Sequence, residues 1–161
     1  MRSIRGAVVL FAILFVIVGL VYPLVITLIA GVAFPDQAGG SLIRDDQGSV
    51  IGSHLIGQNF SAPYYFQSRP SATTVRAFNG MASGGSNLGP TNPVLIAQVS
   101  ARIMALRAAG VSGPVPADLV MSSASGLDPH LSLDAALIQV PVVARARNLS
   151  EDRVRDLVVS Q

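Results

Sequence analysis

Imidazole titrates near neutral pH, so His54 and His130 are the side chains here best suited to general acid–base work or metal ligation. Two isolated histidines in a chain without cysteine do not make a multi-histidine or thiolate metal site. The lack of cysteine also removes disulfides and a thiol nucleophile. Both histidines are therefore expected at the surface or in ordinary hydrogen bonds. Asp128, followed by Pro129, has the arrangement of an Asx-type turn, and no partner in the sequence marks it as a base. A serine hydrolase wants G-x-S-x-G or an equivalent serine with a histidine base, and neither Ser83 nor Ser125 stands in such a frame. A P-loop needs a lysine to reach the β and γ phosphates, and the chain has no lysine. The run Ser83-Gly84-Gly85-Ser86-Asn87 is able to turn backbone amides toward an anion, although an ordinary loop is the simpler expectation. Gln139 is either a helix-surface residue or a ligand contact, and the sequence favours the surface. The aromatics Phe60, Tyr64, Tyr65 and Phe66 are expected as domain core. No catalytic residue and no metal ligand is assigned.

The elements that would carry these residues begin with a membrane segment. Between Arg5 and Asp36 there is no Asp, Glu, Lys, Arg or His, and residues 7–34 are almost all apolar. About 20 such residues cross a hydrocarbon core of roughly 30 Å. A cleaved signal peptide is the rival reading, but its apolar region is typically about 7 to 15 residues, so a retained anchor is expected. Pro23 removes a donor inside the helix, which predicts a bend near Tyr22 and Pro23. Arg2 and Arg5 precede the helix and Asp36 follows it, which puts residues 1–6 in the cytoplasm and residues 35–161 outside. The pI of 9.7 does not indicate nucleic acid: without those two arginines, the remaining basic residues balance the 9 Asp and Glu.

The outer segment is long enough for one compact domain. Residues 41–44 and 50–54 read as short strands joined by the turn Asp45-Asp46-Gln47-Gly48. Residues 58–93 are rich in Gly and Pro, without periodicity, and read as an ordered loop of the binding kind. Asn92 caps a helix with Pro93 at its first position, a stripe of Leu95, Val99, Ile103 and Leu106, and Gly110 at its end. Residues 117–122 read as a short strand or turn, and residues 125–129 as a bend. Ser132 caps a helix carrying Ala135, Ala136 and Gln139, which Pro141 breaks or restarts. Ser150, with Glu151 and Asp152 behind it, caps a last helix whose Val154, Leu157 and Val158 face inward. The fold class is a single N-terminal transmembrane helix plus one α+β extracytoplasmic domain.

Several motifs in order then carry a resemblance. They are Leu55-Ile56-Gly57-Gln58, Tyr65-Phe66-Gln67-Ser68-Arg69-Pro70-Ser71-Ala72, the run from Ser83 to Pro93, Ser125-Gly126-Leu127-Asp128-Pro129-His130, and Gln139-Val140-Pro141. Together with the anchor they resemble the KdpC family, the small C subunit of the bacterial potassium-transporting Kdp P-type ATPase, over nearly the whole chain. The resemblance implies an inner-membrane complex with a channel-like potassium-binding subunit (KdpA), a P-type ATPase subunit (KdpB) and a small subunit (KdpF). It implies an accessory role in assembly and a catalytic-chaperone role that raises the ATP affinity of the catalytic subunit. No cofactor of its own is implied, and ATP enters only through the nucleotide contacts the family suggests at Ser125, Gly126, Leu127 and Gln139. The chain departs from the family at Val142, commonly arginine, and at Val120-Met121-Ser122-Ser123, more usually V-T-A-S. The topology conflicts with nucleotide contact, because ATP is inside. Docking of the outer domain near the external entrance of the channel-like subunit is the physically easier role. A membrane-anchored extracytoplasmic module for a small ligand or nucleotide is the alternative, and an anchored envelope enzyme is the third.

Overall fold

The computed structural model describes residues 2–161. Met1, the first residue of the expected cytoplasmic stretch 1–6, lies outside the described residues. The chain divides into a first unit that runs to Ser53 and a second from His54 to Gln161.

In the first unit, α1 (Arg2–Val16) and α2 (Tyr22–Ala33) are joined without a break in helical path by a π-helical turn, Ile17–Val21. The apolar stretch Ser3–Ala33 is 31 residues with mean hydropathy 3.0, and its side chains are unburied. At 1.5 Å per residue it is about 46 Å long, enough to cross a bilayer with tilt. The disturbance expected at Tyr22 and Pro23 takes the form of this widened turn. The proline ring would clash with the carbonyl four residues back, and widening the preceding turn moves that carbonyl away. Phe34 leaves helical geometry, and a single turn, α3 (Pro35–Ala38), follows. Strands β1 (Leu42–Arg44) and β2 (Val50–Ser53) pair antiparallel, Leu42 opposite Ser53 and Ile43 opposite Gly52. Asp45 sets the turn: its Oδ1 accepts from Gln47 N–H (3.0 Å) and Ser49 N–H (2.8 Å), while Gly48 takes the positive φ of 81° that the reversal needs.

The second unit opens with a long segment, residues 54–92, that has no helix and, apart from a single bridge residue at Ile56, no strand pairing, as its composition implies. Helix α4 (Pro93–Ala108) follows, with the Asn92 side chain accepting from Val94 N–H and Gly110 at φ 98° past its end. Its stripe is buried at Leu95 and half-buried at Val99, Ile103 and Leu106. Residues 117–119 form a 3-10 turn rather than a strand, since Pro116 begins it and only one turn of hydrogen bonds closes. Helix α5 (Leu133–Leu137), capped by Ser132, ends before Gln139. Pro141 restarts the chain as α6 (Val140–Arg147), which Asn148 closes in left-handed geometry. Helix α7 (Glu151–Val159) is capped by Ser150. Val140, Val143, Ala144 and Val154 form the core where α6 meets α7, with Phe66, Leu137 and Val158 against it.

Three packing expectations are corrected. Leu157 is 49 % exposed, because α7 turns only Val154 and Val158 onto α6. Phe60, Tyr64 and Tyr65 are not core: they stack on one another at the surface, with ring centroids 4.7 and 4.6 Å apart, and Arg147 lies over Tyr65. Gln139 is not a surface residue but is 3 % exposed.

Candidate functional site

Gln139 is buried because its carboxamide completes hydrogen bonds that no neighbouring backbone can make. Its Oε1 accepts from Gln67 N–H at 2.7 Å, while its Nε2 donates to Gln67 C=O at 3.2 Å and to Ala135 C=O at 2.8 Å. The side chain acts as a missing β-bridge partner for Gln67 and ties the long loop to the start of α6. A buried amide saturated in this way is stable where an unpaired one is not.

Ser71 is the second anchor of the loop. Its hydroxyl donates to Gly126 C=O (2.7 Å) and accepts from Phe78 N–H (2.9 Å). Gly126 is buried at φ 67°, and a Cβ there would lie 2.6 Å from Gly84 O and 2.8 Å from Thr73 Cγ2, so only glycine fits. On either side of it, Leu127 C=O accepts from Gly57 N–H (2.8 Å), and Ser125 C=O accepts from Gly84 N–H (2.8 Å) and the Ser83 hydroxyl (3.0 Å). Ser125 Oγ accepts from Leu127 N–H at 3.1 Å. The Gly84 amide, which an anion site would need, thus faces Ser125 instead.

Asp128 forms the Asx turn expected of it: its Oδ1 accepts from His130 N–H (3.0 Å) and meets His130 Nδ1 at 2.9 Å. Its Oδ2 pairs with Arg69 Nη1 at 3.0 Å. The His130 amide, opposed by partial burial and joined by the His130 ring and Arg69, holds the carboxyl below its ordinary range. Arg69 Nε is buried without a hydrogen-bond partner among the described residues. His130 itself is exposed, and the hydrogen bond of its ring is to Asp128. Among the described residues no three His, Cys, Asp or Glu side chains are arranged to hold a metal.

Two concavities flank this lattice. A cleft of 410 Å³ is lined by Arg69, Arg102, Tyr65, Gln139 and Val142, the last standing where a family arginine is common. Arg102 donates to Val120 C=O at 2.6 Å, and burial pulls its guanidinium below the ordinary value. Ser125, Gly126 and Leu127 do not line this cleft. An apolar groove of 620 Å³, with Leu133, Leu149 and Leu157 on its walls, opens between α5 and α7. The four sequence-assigned residues therefore fall into two places, Gln139 beneath the cleft and Ser125 to Leu127 in the loop crossing beside Gly84. Sequence reasoning missed Gln67, Ser71, Arg69 and Gly57 as members of the same lattice. Their only signal was that they sit inside the recurrent motifs.

Those motifs lie far apart along the chain yet hydrogen-bond to one another, so their joint presence is a structural signature. A family model described as KdpC, the c chain of K+-transporting ATPases, matches residues 4–161. The chain belongs to the KdpC family. It is 59% identical to the potassium-transporting ATPase KdpC subunit of Methanosphaerula palustris over 98% of this chain and 83% of that protein. Against the KdpC subunit of Geobacter sulfurreducens the identity is 50%, over 99% of this chain and 85% of that one. Against that of Burkholderia orbicola it is 55%, over 98% and 82%. Potassium transport and an ATPase complex are thus the setting of this KdpC-family chain, with one N-terminal apolar helix as its membrane element.

Proposed function

We propose that the chain is a non-catalytic accessory subunit of an ATP-driven, high-affinity potassium import complex. In this reading its helix packs among the membrane subunits, and its outer domain, residues 35–161, docks on the extracytoplasmic side of the channel-like subunit, KdpA, near the potassium entrance. KdpB supplies the ATP chemistry and KdpF completes the assembly. The orientation rests on Arg2 and Arg5 before the helix and Asp36 after it.

The observation that carries a structural rather than a catalytic role is the mutual hydrogen bonding of the motif residues. Gln139 and Ser71 spend their polar groups on Gln67, Ala135, Gly126 and Phe78, and Gly126 is closed in by Gly84 and Thr73. The nucleotide role that the resemblance attaches to Ser125, Gly126, Leu127 and Gln139 requires these groups to be released, and requires the domain to face ATP. Removing residues 36–161 while keeping the anchor tests the proposal. The expected result is loss of complex stability or of high-affinity potassium uptake, measured by co-purification and by potassium-dependent ATPase activity. An intact complex with unchanged potassium affinity overturns it.

A further inference from the structure

The π-helical turn creates a hydrogen-bonding deficit at one depth of the membrane helix. Pro23 has no N–H, so Gly19 C=O lacks its regular helical donor. Tyr22 N–H, the regular donor for Val18 C=O, is directed instead to Ile17 C=O. The wide-turn donor for Val18 would be residue 23, again the proline. Val18 C=O thus loses both its regular and its wide-turn donor, whereas Gly19 C=O keeps Leu24 N–H, five residues on, as a wide-turn donor. Val18 is the middle residue of Ser3–Ala33, so the deficit lies at the centre of the hydrocarbon region, where lipid tails supply no donor.

The helix offers the Val18 carbonyl no side-chain donor either. Leu14, Phe15, Val16, Ile17, Leu20 and Val21 around the turn carry no hydroxyl or amide. The one hydroxyl near the turn is on Tyr22, at the far end of a rigid ring whose adjustable torsions are χ1 and χ2. A second, parallel copy of the chain has the same apolar side chains at this depth. Access from outside is open, because a Cβ at Gly19 would meet only the Phe15 ring, at 3.8 Å.

We propose that the turn at Ile17–Val21 is the packing site for a transmembrane helix of another subunit, which places a Ser, Thr, Asn or Gln side chain at mid-membrane depth and donates to the Val18 carbonyl. Gly19 provides the close approach that such an interhelical hydrogen bond needs. The inference rests on the accessory-subunit reading only for the source of that helix.

The test compares Gly19→Leu with Gly31→Leu in the full chain expressed with the rest of the complex. Gly31 is equally open, with nothing within 4 Å of a Cβ, but lies away from the widened turn. Both variants keep an apolar helix, and their membrane-fraction levels check insertion. Gly19→Leu is expected to lower recovery of the co-purifying membrane subunits about tenfold, in line with the loss of one interhelical contact, while Gly31→Leu leaves recovery unchanged. Photo-cross-linking from Val18→p-benzoylphenylalanine is expected to reach a transmembrane peptide with one of the four donor residues within one turn of the linked position. Equal recovery of the two variants overturns the inference while leaving the accessory reading standing. So do cross-links only to lipid, to a second copy of this chain, or to a peptide without such a donor. A wild-type chain that brings down no other membrane subunit overturns both.

Discussion

Gln139→Leu keeps the side chain similar in size but makes it apolar, stranding Gln67 N–H, Gln67 C=O and Ala135 C=O in a buried or half-buried place. The cost is expected at about 2 to 4 kcal/mol, measured by urea unfolding of the full chain in detergent. A change below about 0.5 kcal/mol contradicts the bridging role. Glycine substitutions divide in the same way. Gly126→Ala, at φ 67° with Gly84 O 2.6 Å from the new Cβ, should destabilise by about 2 kcal/mol or more. Gly84→Ala, with nothing within 4 Å, should stay within about 0.5 kcal/mol. Acid dependence follows from Asp128. Its folded pKa lies below the unfolded value, so its contribution is present above the ordinary carboxylate pKa of about 3.9 and is lost as pH falls through the lower folded value. Asp118 adds in the same direction: burial raises it, but the amide and hydroxyl of Ser132 pull it down further. Asp128→Asn is therefore expected to flatten the dependence of thermal midpoint on pH below about 4. An unchanged acid limb argues against the Arg69 and His130 contacts.

Helix ends were the most legible feature of the sequence, because capping is a local affair of one side chain and the amides two or three residues on. Asn92, Ser132 and Ser150 each accept the bond that their position implies. Ser150→Ala is expected to cost about 1 kcal/mol, since α7 delivers Val154 to the core; loss of protection confined to the first turn of α7 in amide hydrogen exchange would mark the same cause. The strand pair was legible for a similar reason, through the Asp45 and Gly48 turn. What stayed hidden depends on residues distant in sequence. Gln139 looks like a helix-surface residue until α5 stops at Leu137 and Gln67 is brought against it. The aromatic run 60–66 looks like core, yet in this arrangement the small residues of α6 and α7 fill that role, and only Phe66 joins them. The order of residues 54–92 comes from side chain to backbone bonds at Ser71, Thr73 and Asn79, which leave no periodic trace.

At the scale of the whole molecule, the membrane helix and the α+β class were visible from charge-free length and from the change of pattern after Asp36. The candidate site was visible only as a set of motifs, whose shared hydrogen-bond lattice required the fold. That lattice lies wholly in the second unit, the part which the accessory role proposed for this KdpC-family chain would set on the potassium-entry side of the membrane. Because the chain has no cysteine, a single one at Met81, which is 95% exposed, reports its side directly. Met81→Cys should be labelled by a membrane-impermeant maleimide in spheroplasts and protected in inverted vesicles. Labelling only in inverted vesicles would place the domain with ATP, contradict the account, and return Ser125, Gly126, Leu127 and Gln139 to consideration as nucleotide contacts.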